Sequence, residues 1–457
     1  MRKSMLLLIL MILLIIMAAC GEAQPEPEEY IAYEEELREE EFHEPEPIIQ
    51  SSIPIDRAAR YFEQANRMFA RDGSELWGFD FTTVPIIFVD PATRDAAANM
   101  PDLDGVLTKY GDIYVGAFPQ YLVVHDIVVN YLDFAGLHWV VVPWPAVEVA
   151  DVRGMLAHKA FHWAQNELFG GYRRMWDNSH MNEIDVRINI RLEANALIAA
   201  LNSTGDDRLA AIHDALSIRA ERRRVFKRTE DENRFKMAEG TTQYTEISFN
   251  VSRANRMNIL EGWAQGMLSG DALEPSFGYS VGALYSFVLD EVGADWKNGL
   301  RWDSDLGEIL KEAVGITGLI PFDRIDLEQY GYAQIAAQER AWATERKRQF
   351  EEITELFADN PTLRIYSENL YPAFSAIVST MPGWGRVFRG SVDLHGGFGH
   401  LIVQDGIYIS HQDGFGMVVA EGIKIDGNRA FGANWTLELN DGYEILADGD
   451  DFKVISQ

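Results

Sequence analysis

The sequence predicts an α+β fold: a mainly helical body with a short strand region on its N-terminal side, followed by a small antiparallel β module. Three observations carry this. Apolar residues recur at three- and four-residue intervals through much of residues 147–311. Short apolar runs bounded by Pro, Asp and Gly precede that stretch. In the last part of the chain the period becomes alternating, with Asp405-Gly406, Asp426-Gly427 and Asp441-Gly442 as turn signals.

Taken in order, Ala58, Ala59, Phe62, Ala65 and Phe69 predict a helix over 55–71. Val84-Pro85-Ile86-Ile87-Phe88-Val89, closed by Asp90-Pro91, reads as a buried strand, and 112–116 and 137–142 as two more. Pro143 and Pro145 then interrupt the chain. Helices are expected over 153–169, ended by Gly170-Gly171, over 184–201 and over 207–230. Another begins near Asp231 and carries Ala238-Glu239-Gly240, and a further one covers 281–292. An exposed, charged helix is expected over 330–357, and strands over 399–410, 417–425 and 435–439.

The first twenty residues predict export. Arg2 and Lys3 precede an unbroken apolar run, residues 5–17, which is shorter than the ~20 residues a spanning helix needs. Met17-Ala18-Ala19-Cys20 follows, and it resembles the lipobox of bacterial lipoproteins, with Met17 where Leu is usual. The resemblance implies a leader over 1–19, cleavage before Cys20 and a diacylglycerol on its thiol. The implied location is the extracytoplasmic face of a cell membrane, with the membrane itself as partner. Cys20 is the only cysteine, so no intrachain disulfide is possible. Residues 20–52 read as an acidic tether, with Glu34-Glu35-Glu36, Glu39-Glu40-Glu41 and four prolines. The chain carries a formal charge of −31, which argues against nucleic acid as a partner. The remaining divisions are a body over 53–325, a connecting helix over 326–360 and the β module over 361–457.

One constellation suggests chemistry. His158 and His162 lie four apart on a predicted helix, so both imidazoles fall on one face, close enough to share a zinc ion. With ten histidines in 457 residues such a pair also arises by chance, as two hydrogen-bonded surface histidines. The segment Leu156-Ala157-His158-Lys159-Ala160-Phe161-His162-Trp163-Ala164-Gln165 resembles the H-E-x-x-H helix of gluzincin-type metallopeptidases. It is closer still to a bacterial family with H-E-x-F-H followed by Gln. Further pieces match that family in order: Leu76-Trp77-Gly78, the 88–94 segment, Val142-Pro143-Trp144-Pro145, Arg191-Leu192-Glu193, Glu239-Gly240-Thr241-Thr242-Gln243-Tyr244, Tyr279-Ser280-Val281-Gly282-Ala283 and Asp295-Trp296-Lys297.

The resemblance implies a zincin-like body with zinc as cofactor, His158 and His162 as ligands and Glu239 as the third ligand. It also suggests Glu193 as the carboxylate that accepts an N–H from a ligand histidine, against a salt bridge to a helix arginine. The chain departs from the pattern at the general base, where the family's Glu is Lys159. An ammonium has three donors and no acceptor. At ε ≈ 20 its repulsion from a divalent ion about 5 Å away is roughly 7 kcal/mol before screening. The expectation is a pseudopeptidase that binds a peptide or protein ligand. The alternatives are an active zinc hydrolase with an unusual base, for which Lys159 would have to be deprotonated, and a structural or adhesive envelope protein without metal. Glu167 and Glu246 are not expected to reach a zinc-bound water. Tyr244 reads as core, and His180 as an exposed loop residue. His395, His400 and His411 show no familiar metal spacing.

Overall fold

The computed structural model describes residues 51–456 apart from 120, 121, 123–129, 146–151, 171–175, 271, 272 and 367–372. The expected leader, Cys20 and nearly all of the expected tether therefore lie outside the described residues. The fold is α+β.

Helix α1 (Ile55–Trp77) buries Ala58, Phe62, Ala65 and Phe69, the predicted face, and Phe62 stacks on Phe88 at 4.8 Å. Phe88 belongs to a six-stranded sheet made of β1 (Ile86–Val89), β2 (Asp95–Ala98), β3 (Thr108–Tyr110), β4 (Ile113–Ala117), β5 (Asn130–Phe134) and β6 (Leu137–Pro143). Its order is β3-β4-β2-β1-β6-β5, with β1 and β6 parallel and the other pairs antiparallel. All four residues of β1 are buried, which explains a continuous apolar run in place of alternation. The strand region is thus larger than expected. β2 escapes a propensity reading because three of its four residues are Ala, and sheet neighbours on both sides supply what propensity lacks.

The body continues through α2 (Val152–Leu168), α3 (Ile184–Asn202), α4 (Gly205–Phe226), α5 (Thr229–Phe235), a π-helical turn (Lys236–Gly240), α6 (Thr241–Asn250), α7 (Arg253–Leu268), α8 (Phe277–Glu291), α9 (Leu306–Ala313) and α10 (Tyr332–Asp359). α4 ends earlier than the expected residue 230, at Lys227, whose φ of 51° is left-handed. α8 is buried along nearly its whole length, from Phe277 to Leu289, so it is the central helix of the body. The π turn packs on it backbone to backbone. A Cβ on Gly240 would lie 2.4 Å from Gly282 Cα and 2.7 Å from Gly278 O, so only glycine fits.

Beside α8 lies a buried ionic network. Arg222, 0% exposed, donates to Glu232 at 2.8 and 3.0 Å and to Glu193. Arg223 donates to Glu232 and Asp305, and Arg219 also reaches Asp305.

The C-terminal strands are β7 (Thr362–Tyr366), β8 (Ala373–Met381), β9 (Gly385–Gly396), β10 (Gly399–His411), β11 (Phe415–Val419), β12 (Lys424–Asp426), β13 (Arg429–Phe431), β14 (Trp435–Leu439), β15 (Tyr443–Asp448) and β16 (Asp451–Ser456). They form one ten-stranded sheet. It is neither small nor wholly antiparallel as expected, because β16 runs parallel to β7. The alternating pattern of β14, buried at Trp435, Leu437 and Leu439, shows how it buries a single face. The sheet has its own apolar cluster around Phe388, Leu401, Tyr408 and Leu437, and Ile353 and Phe357 of α10 pack on a second one with Val387 and Ile409. No described helix is long and apolar enough to cross a membrane.

Candidate metal centre

α2 carries His158 and His162 at i, i+4, with ring centroids 4.8 Å apart. Their Nε2 atoms face each other at 3.2 Å. Glu239, from the π turn, brings Oε2 to 3.1 Å from His162 Nε2 and 4.0 Å from His158 Nε2. The three expected ligands therefore converge. A π turn places one extra residue in a helical turn and re-aims what it carries, a device frequent at functional sites.

The contacts on the far side of each ring fix the tautomers. His158 Nδ1 lies 2.9 Å from Glu246 Oε2. A carboxylate can only accept, so Nδ1 carries a proton, and in the neutral ring Nε2 holds the lone pair. Around His162 the argument runs through Gln165. Its Nε2 sits 2.7 Å from Ala238 O and 3.1 Å from Met237 O, both pure acceptors, so this end of the amide is the NH2. The other end, Oε1, is then the carbonyl, and it lies 3.0 Å from His162 Nδ1. That nitrogen must donate, which again leaves a lone pair on Nε2. Gln165 thus ties the tautomer of His162 to the carbonyls of the turn that carries Glu239.

Burial pushes the His162 imidazole below its ordinary pKa despite Glu239 beside it, so the ring is neutral at neutral pH. Burial would raise the Glu239 carboxyl, but the imidazoles of His162 and His158 beside it and a hydrogen bond from Tyr279 hold it well below the ordinary carboxylate range. Two imidazole lone pairs and a carboxylate thus share one small space. Tetrahedral zinc with bonds of about 2.0–2.1 Å requires ligand atoms about 3.3–3.4 Å apart. The observed 3.1, 3.2 and 4.0 Å bracket that edge, so the donor set fits the ion in both chemistry and size.

Lys159 is half-buried on α2, and its positive charge adds to the depression of His162. Tyr131 donates to its carbonyl at 3.2 Å. Tyr279 faces the site, its ring stacked on His158 at 6.1 Å and its hydroxyl bonded to Glu239.

Two expectations need correction, those for Glu193 and His180. Glu193 does not hold a ligand histidine: it is fully buried and accepts from Arg222 and from Tyr285 Oη at 2.8 Å, the salt-bridge alternative. The carboxylate behind the histidine is Glu246, set aside because it cannot reach the water. It does not need to; its spacing of seven from Glu239, about two helical turns, keeps both on one face. His180 is not exposed but buried, with Nε2 3.1 Å from Glu232. Tyr244 is core as expected, 0% exposed and donating to Asp290. A cleft of about 1010 Å³ between α10, the start of α3 and the C-terminal sheet, lined by His180, Trp342, Arg346 and Phe350, contains none of the triad.

No known family model, curated protein or solved structure matches this chain.

Proposed function

We propose that this chain is a zinc-binding, gluzincin-like pseudopeptidase, held on the extracytoplasmic face of a membrane by lipid on Cys20. The observation that carries the zinc reading is the pair of contacts from Glu246 and Gln165 to Nδ1 of His158 and His162, from which the tautomers are assigned. They turn two lone pairs toward the Glu239 carboxylate, an arrangement that a cation stabilises and that mutual repulsion otherwise opposes. When bound, zinc supplies a Lewis acid that holds and polarises an oxygen of a peptide or protein ligand. Three protein ligands leave a position open for that oxygen.

The pseudoenzyme reading rests on Lys159. A general base at this place must accept a proton from water, and an ammonium cannot. Tyr279 is placed to donate to an oxygen near the triad, which serves binding as well as it would catalysis. The anchoring reading rests on Met17-Ala18-Ala19-Cys20 and the apolar run before it.

Elemental analysis and a peptidase assay on the purified chain test this together. The expected results are a zinc ion that is lost in His162→Ala, no turnover in the wild type, and turnover in Lys159→Glu that the added His162→Ala removes. Wild-type turnover abolished by His162→Ala would establish an active hydrolase instead. Zinc content unaffected by His158→Ala and His162→Ala would refute the metal centre. Radiolabelled lipid absent from a Cys20→Ser variant but present in the wild type is the expected outcome for the anchor.

A further inference from the structure

A second group of metal-type ligands lies far along the chain, on the C-terminal sheet. His395 of β9 and His400 of β10 are directly opposite each other in the antiparallel register, so their side chains share a face. Asp393 is two residues before His395 and falls on that face as well. The two rings stack at 3.8 Å with planes 14° apart. His400 Nε2 lies 2.8 Å and His395 Nε2 3.1 Å from the same oxygen, Asp393 Oδ1. All three donor atoms fall within 4.8 Å of one another.

We infer that Asp393, His395 and His400 form a second divalent transition-metal site, open to solvent, which takes Zn2+, Ni2+ or Cu2+. Imidazole and carboxylate together suit these ions, whereas Mg2+ and Ca2+ prefer all-oxygen cages. The sheet holds the three residues side by side, and metal binding displaces the proton that each Nε2 turns toward Asp393 and swings the stacked rings toward one point. β9 is held between β8 and β10, and β10 between β9 and β14, so neither histidine can shift register. The connecting turn is pinned from below by Phe398, 0% exposed, and at its end by Gly399, where a Cβ would lie 2.0 Å from Glu438 O. Side-chain exposures of 34–47% leave room for water or a ligand group from a partner in the remaining positions. Glu438 stands opposite His400 on β14 but is engaged by Arg429 at 2.9 Å, so the site has three protein ligands.

Equilibrium dialysis of the full chain against Zn2+ tests this. The wild type should take up two ions per chain, His400→Ala one, the His158→Ala/His162→Ala double variant one, and the triple variant none. Asp393→Asn, nearly isosteric, guards against misfolding and should weaken the sheet site at least about 100-fold, since even outer-sphere substitutions cost 10–100-fold. Zn2+ should also protect His395 and His400 from diethyl pyrocarbonate, mapped by mass spectrometry, while His213 reacts as before. Uptake unchanged by His400→Ala and Asp393→Asn, with no protection of the pair, would overturn the inference. Failure of the α2 centre has a different signature: one ion in the wild type, retained in the double variant and lost in His400→Ala.

Discussion

Two buried acids, seven residues apart in sequence, sit in opposite electrostatic surroundings. Glu232 on α5 is 1% exposed and accepts from Arg222, Arg223 and His180. Burial would raise it, but the guanidinium of Arg222 first, then a hydrogen bond from His180 and the charge of Arg223, hold it well below the ordinary range. Glu239 on the π turn is nearly as buried, yet the atoms nearest its Oε2 are two imidazole nitrogens whose protons lie on the far side. The first acid is neutralised by the chain's own fixed cations. In the function proposed above, the second meets its cation in a bound zinc ion. A buried carboxylate needs a counter-charge or hydrogen-bond donors to offset its lost hydration.

The largest expected effect lies in the ionic network. Arg222→Met takes the shared guanidinium from Glu193 and Glu232, leaving the first only Tyr285 and the second Arg223 and His180, and should cost about 3–5 kcal/mol in urea denaturation, with or without zinc. Lys236, buried beside Arg219, Arg223, Glu193, Glu232 and Tyr285, comes next. Burial first, then the two arginines, bring its ammonium down to about 7. Between that value and its usual 10.5 the unfolded chain binds more protons than the native one. Stability should therefore rise as pH climbs through this window, by a few kcal/mol. Denaturation of Lys236→Met across the same range should lose that slope.

At the triad the effects should be conditional on metal. Without zinc, His162→Ala and wild type should melt alike. At zinc a hundred times the triad's dissociation constant, the wild type should gain about 2.7 kcal/mol more than His162→Ala does. Equal melting in zinc would erase the contrast between the two acids. The smallest effect is that of Glu246→Gln, which keeps the size but weakens the hold on His158. Competition with a chelator should show zinc affinity lower by about 10–100-fold.

How far the sequence reveals all this differs between the two surroundings. The i, i+4 spacing of His158 and His162 is visible in any helical reading. Glu239 is reachable only through resemblance, because the π turn that aims it leaves no periodic mark. Gln165 was visible in the motif without a role, since its function depends on carbonyls 72 and 73 residues away. Glu193 was misplaced because a buried acid among helices has two reasons to exist, and only packing shows that Arg222 claims it. Similarly β1 is legible as an apolar run, whereas β2, built mostly of Ala, is a strand because of its neighbours. The histidine pair of the last sheet sits five residues apart across a turn, and it becomes a site only once the β9–β10 register is known.

The most direct test is anomalous X-ray diffraction at the zinc edge from crystals grown with zinc. A peak bonded at about 2.0–2.2 Å to Nε2 of both His158 and His162 and to the Glu239 carboxylate is the predicted result. An empty triad in zinc-saturated crystals, or metal held through Nδ1 with Glu246 or Gln165 displaced, would contradict it.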